Sequence, residues 1–318
     1  MERPHTPLTN KGTFFLNAGG ELRAVWKLSA YVCTAIAGFA LFYTIGSFLT
    51  SAMDVGMRFV WLSSHTAMLA AACTATVFVM SAIDRRPFAD IGFHLRHGAL
   101  RDLVLGVGVA GVMISLLGLA ALCSGLTDVR LAVASTPHGL HVLAGGAMLF
   151  LVVSLAEEIL LRGYPFLVME RSLGPLAAVL ITSVVFAFFH VWNPHIDTAG
   201  FVNIFLAGLW LGRARLVSGA LWLPVGLHMG WNFFLGSVWG FPVSGVLEPA
   251  VFHAVPRGEE RLTGGLFGPE AGLFATGILI VGLGLLFEPH VVRFFHAGRP
   301  EGTWGRTGEK TTSSTSPE

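Results

Sequence analysis

The chain has 318 residues, of which 53% are hydrophobic and only 12% charged. A soluble domain carries about 25% charged residues, so the composition points to a membrane protein and away from a water-soluble enzyme. The formal net charge of +1 offers no basic face to neutralise phosphates, which argues against a nucleic-acid partner.

Taken in chain order, the first 24 residues are polar and mixed, without the apolar stretch of a cleavable signal peptide. Residues 1–26 read as a cytoplasmic tail. A spanning helix needs about 20 mostly apolar residues, and eight stretches qualify: 27–50, 59–83, 103–123, 140–168, 175–193, 198–214, 218–239 and 270–289. The sixth is short, and only the Arg213–Gly219 turn separates it from the seventh. The expected fold is all-α, a polytopic transmembrane helical bundle of about eight spanning helices over residues 27–290. Connections are short except for Gly240–Pro269, which is rich in Gly and Pro and is predicted to be irregular. Residues 296–318 are polar and poor in hydrophobics, as in a disordered tail. Cys33, Cys73 and Cys123 lie in separate apolar runs without CxxC spacing, and read as small buried hydrophobes rather than a disulfide or zinc framework. No internal repeat is apparent.

Basic residues concentrate on the cytoplasmic side of membrane proteins. With both termini inside, the inner segments hold sixteen Lys and Arg, and the outer segments hold only Arg58, Arg130, Arg257 and Arg261. Losing or gaining one span would spoil that alternation. The pattern therefore supports an N-in, C-in integral multi-pass protein, with the bacterial cytoplasmic membrane as the expected location.

Away from the span ends, the charged residues that remain are Glu157, Glu158 and Arg162, in SLAEEILLRGY. A charge at the centre of a membrane helix costs about 2.5–3.5 kcal/mol on insertion scales, and such residues usually face the protein interior. Glu158 and Arg162 stand at i,i+4, the favourable order for an ion pair within a helix. That leaves Glu157 without a charged partner in its own helix, the setting in which a carboxylate works as a general base near neutral pH.

Three histidines fall clearly within spans: His65, His190 and His228. His65 has no polar companion on its face and reads as a core residue. His190 follows Phe186 by one turn, and His228 and Asn232 share one face at i,i+4. Gly226 and Gly230 leave room for close approach of a helix or a substrate. Depths counted along the helices place Glu157, His190, His228 and Asn232 in one layer near the membrane middle.

A carboxylate beside an imidazole can deprotonate water, while a second imidazole and an amide donate to a developing oxyanion. The same groups could instead hold one divalent metal ion, zinc above all, with His190 and His228 as ligands. The residues leave both open. The HExxH zinc signature is absent. No Asp lies well inside a span, which disfavours a paired-aspartate protease, and no GxSG-type segment with a later His is present.

The order EExxxR (Glu157, Glu158, Arg162), FxxxH (Phe186, His190) and HxxxN (His228, Asn232) resembles the CPBP family. That family groups CAAX prenyl endopeptidases with bacteriocin-processing and immunity-type membrane proteins. The similarity covers about residues 140–235, and the ADIGFHLR loop, Ala89–Arg96, is also similar. The resemblance implies an intramembrane endopeptidase acting on membrane-embedded or lipid-modified proteins. Glu157 would activate water with help from His190, and His228 and Asn232 would stabilise the oxyanion. Glu158, Arg162 and Phe186 would support the site. Two other readings stand beside it. One is a non-enzymatic membrane scaffold or immunity protein; the other is a proton-coupled transporter, since buried Glu and His also relay protons.

Overall fold

The structure, a computed structural model, describes residues 13–17, 19–53, 56–95 and 98–296. The proposed tail 296–318 lies outside the described residues beyond position 296, as do residues 1–12 of the proposed N-terminal tail. The fold is all-α, as its apolar patterning predicts, apart from one two-stranded sheet.

The chain runs through α1 (Ala24–Ala52), α2 (Met57–Phe78, continued by a π-helical turn to Ile83) and α3 (Ala99–Cys123). It continues through α4 (Thr136–Arg162), α5 (Tyr164–Leu173), α6 (Pro175–Phe189) and α7 (Thr198–Ser218). Then come α8 (Trp222–Asn232, continued by a π-helical turn to Trp239), α9 (Glu260–Thr263), α10 (Leu273–Leu285) and α11 (Pro289–His296). Many large apolar side chains on these helices point outward, among them Phe48, Val112 and Leu176. A lipid environment accepts such a surface, because helices satisfy their own backbone hydrogen bonds.

Among the described residues, five helical stretches are long and apolar enough to cross a membrane by themselves: 24–52, 59–83, 99–123, 136–173 and 198–218. A sixth arises if Leu273–Leu285 and Pro289–Phe295, bent by 66°, form one span. The expected spans 175–193 and 218–239 are shorter as regular helices. α6 has 15 residues, about 22 Å, and stops at His190 ahead of Asn193 and Pro194. α8 turns π-helical at Phe233. The expected span 140–168 lies within the single stretch 136–173, whose helix is interrupted locally at Gly163, where a Cβ would come 2.4 Å from the Ile159 carbonyl oxygen. Only glycine lets the chain turn there into α5.

The segment Gly240–Pro269 is also more ordered than its composition predicts. Residues 252–256 (β2) pair antiparallel with 127–131 (β1), from Thr127 opposite Pro256 to Leu131 opposite Phe252. The strands come from loops more than a hundred residues apart, so no local alternation could announce the pairing. The cysteines differ as well: Cys33 and Cys123 lie exposed on the helix exterior and only Cys73 is half-buried. In a bilayer that exterior is as apolar as a core, so burial does not follow from hydrophobicity.

The helix ends sort onto two faces. On one, Lys27 pairs with Asp84 at 2.6 Å, Arg101 stacks on Phe294, and Arg213 stacks on Phe287. The other carries the β1–β2 sheet, the α6–α7 connection and the segment before α10. These are called below the basic face and the sheet face. Between them α3 and α8 cross backbone to backbone: a Cβ on Gly226 would meet the Leu103 carbonyl oxygen at 2.2 Å, and one on Gly230 the Val107 oxygen at 2.6 Å. The room left by Gly226 and Gly230 is taken by a helix, and it fixes the height of His228.

Candidate active site

α4 is an apolar helix whose last two turns carry three ionisable groups. Glu158 and Arg162 are both fully buried and form an ion pair at 3.1 Å. Burying two charges without partners would be prohibitive, and each finds more than one. Arg162 also donates to the Gly208 carbonyl of α7 at 3.4 Å, and its guanidinium lies 4.4 Å from the centre of the Phe186 ring.

The second partner of Glu158 comes from α8. His228 Nδ1 sits 3.0 Å from Glu158 Oε1, and a carboxylate only accepts, so Nδ1 carries the hydrogen. The opposite nitrogen, Nε2, is then the free one, and it stands 3.8 Å from Glu157 Oε2. That gap is too long for a direct hydrogen bond and suits a water touching both atoms. Glu157 Oε2 is itself buried and has no hydrogen-bond partner in the protein. Glu158 therefore does more than the i,i+4 spacing suggests: it neutralises Arg162 and also orients His228.

His190 caps α6. Its Nδ1 donates to the Phe186 carbonyl at 2.7 Å, which again leaves Nε2 free. Phe186 lies at the centre of this arrangement, with its ring 4.7 Å from that of His190 and 5.9 Å, edge to face, from that of His228. One aromatic ring thus packs against both imidazoles and the Arg162 guanidinium.

Glu157, Phe186, His190, His228 and Asn232 all line one cavity of about 520 Å³, within the range of small-molecule and peptide sites. The four groups expected to share a layer do share a cavity. Its walls are mostly apolar, built from Trp61, Met68, Val153, Phe189, Trp210 and Trp231.

Two further titratable groups reach this cavity. His65 of α2 lines it with Nδ1 bonded to the Trp61 carbonyl at 2.9 Å and its ring 4.4 Å from that of Trp61. Sequence reasoning set His65 aside for want of a polar companion on its face; its bond and ring contact are to Trp61 of the same helix, and it meets the other helices only across the cavity. Glu270 lies at the start of the last expected span, where a charge reads as a span end. It is 6% exposed and accepts from Trp231 Nε1 at 3.0 Å and from Ser244 N and Oγ at 2.6 and 2.9 Å. It braces Trp231, next to Asn232, and the turn that carries Ser244.

A catalytic zinc ion needs three protein ligands and an open position. Among the described residues no three His, Cys, Asp or Glu side chains are grouped to hold a metal ion as they stand, although Nε2 of His190 and of His228 are both free. The residues present do not form a ready zinc site.

Residues 139–234 match the family of Rce1-like proteins, described as type II CAAX prenyl endopeptidase Rce1-like. The match spans α4 to the start of the π-helical turn after α8, and so takes in every motif residue from Glu157 to Asn232. No curated protein matches the chain.

Proposed function

We propose, from the match of residues 139–234 to the Rce1-like family and from helices long and apolar enough to cross a membrane, that the chain is a glutamate-dependent intramembrane endopeptidase of the CPBP family. Its substrates on this reading are membrane-embedded or lipid-modified proteins. The observation that carries the proposal is His228 held between two carboxylates, with Nδ1 on Glu158 and Nε2 facing Glu157.

A water between Glu157 Oε2 and His228 Nε2 attacks the scissile carbonyl carbon, and its proton passes to the Glu157 carboxylate. The carbonyl oxygen takes up negative charge, which the Asn232 amide stabilises by donating a hydrogen bond. When the C–N bond breaks, the proton held on Glu157 moves to the departing amine. Glu158 and Arg162 keep His228 in one tautomer and one orientation. No covalent enzyme intermediate and no metal-bound water enters this sequence.

The test compares membranes of cells making the wild-type protein with those making Glu157→Gln, by sequencing newly formed protein termini. Termini present with the wild type and missing with the variant are expected, and identify substrates. Undiminished cleavage by Glu157→Gln rejects the proposal. Chelation of the purified protein supplies an independent check: activity is expected to persist, and loss restored by zinc favours the metal mechanism.

A further inference from the structure

The cavity is closed on one side and open on the other. Toward the basic face its floor is sealed by buried ionic groups. Arg162 and Glu158 have no exposed surface, and beneath them Arg215 donates to the carbonyls of Arg162 at 3.3 Å and Ile91 at 3.0 Å. The loop carrying Ile91 presses on the α7–α8 turn: Leu221 N donates to the Gly92 carbonyl at 3.0 Å, and a Cβ on Gly92 would come 3.1 Å from that same nitrogen. Nothing from the basic-face connections lines the cavity.

Every residue that a connection contributes to the wall comes from the sheet face: Asn193, Pro194, Val243, Ser244, Val246 and Glu270. Exposure rises in that direction. His228 and Asn232 are buried, Asn193 and Ser244 half-buried, and Pro194 exposed. Among the described residues, ten Lys and Arg fall in the basic-face segments against four in the sheet-face segments, and that asymmetry marks the basic face as cytoplasmic.

We propose that the site opens to the non-cytoplasmic side of the membrane. Its substrates are then polypeptide segments at the outer leaflet, such as translocated or exported proteins still anchored in the bilayer, and the apolar walls accept their anchored end. The substrate class rests on the endopeptidase reading above; the direction of opening rests on geometry and charge alone.

Cysteine labelling tests it. Cys33, Cys73 and Cys123 are first replaced by Ala. Single cysteines are then introduced as Pro194→Cys at the cavity rim, Leu247→Cys on the sheet face (61% exposed) and Leu173→Cys at the basic face (61% exposed). Intact cells are treated with a membrane-impermeant maleimide. Pro194→Cys and Leu247→Cys are expected to label, and Leu173→Cys only after permeabilisation. The reverse pattern overturns the proposal. The same labelling is expected in a Glu157→Ala background, so a failure of the protease reading leaves the orientation standing. If cleavage occurs, a bulky impermeant maleimide on Pro194→Cys should abolish it from outside; unchanged cleavage with that site fully labelled also overturns the proposal.

Discussion

Around α4, adjacent residues are turned by about 100°, so Glu157 and Glu158 meet different neighbours despite their identical chemistry. Glu158 meets Arg162 and His228 Nδ1, and Glu157 meets the cavity. Two substitutions separate these roles. Glu157→Gln is expected to lower turnover by roughly 10²–10⁴-fold, the usual contribution of a general base, while thermal unfolding in detergent stays within a degree or two of wild type. Glu158→Ala leaves Arg162 buried without its carboxylate and is expected to destabilise by about 3–5 kcal/mol, read as a large fall in the unfolding temperature. Replacing the pair together, Glu158→Leu with Arg162→Met, removes the uncompensated charge and should restore much of that stability. Activity should not return, because His228 Nδ1 is no longer held. Recovery of activity in the double variant would remove Glu158 from its orienting role. At this scale the sequence led to residues that meet in space: Glu157, His190 and His228 line one cavity, and Glu158 bonds Arg162 and His228. It could not show that Glu158 serves two partners, because the second is 70 residues away on α8.

Between elements, geometry is fixed where glycines let backbones meet. Gly226 of α8 has no room for a side chain against the Leu103 carbonyl of α3. Gly226→Val is expected to destabilise by roughly 1–3 kcal/mol through overpacking. It should also lower activity by moving His228 away from Glu157, even in preparations matched for folded protein; full activity in such protein would show that the α3–α8 contact does not position the site. Glu270 offers a second test, on the sheet-face side. Glu270→Ala deletes its bonds to Trp231 and Ser244, each worth about 1.5–3 kcal/mol as hydrogen bonds to a charged group. A lower unfolding temperature is expected, and a fluorescence shift from Trp231 should accompany it. The boundaries of α2 and α7 follow from their apolar runs to within a few residues. The breaks at Gly163 and His190 carry local signals, Gly163 with Pro165 and Asn193 with Pro194, which an average over a membrane-length window hides.

Across the whole molecule, charge decides orientation while burial decides stability, and the two need not coincide. The Asp128–Arg257 pair joins β1 to β2, yet both side chains are exposed, 40% and 60%. Asp128→Ala is therefore expected to change stability by less than about 1 kcal/mol, in contrast to Glu158→Ala; a large loss would mean that this pair anchors the sheet. Composition and periodicity by themselves determined that this is a helical membrane protein, and motif order singled out the residues proposed to carry its chemistry, because a charge inside an apolar helix has few reasons to be there. What only the tertiary structure decided is how those groups meet. It put His65 and Glu270 into the same cavity, paired two distant loops into a sheet, left two cysteines facing outward, and sealed the site toward the basic face. Those outcomes depend on contacts between segments far apart in the chain, whose approach is set by glycine-lined helix crossings and not by any local pattern.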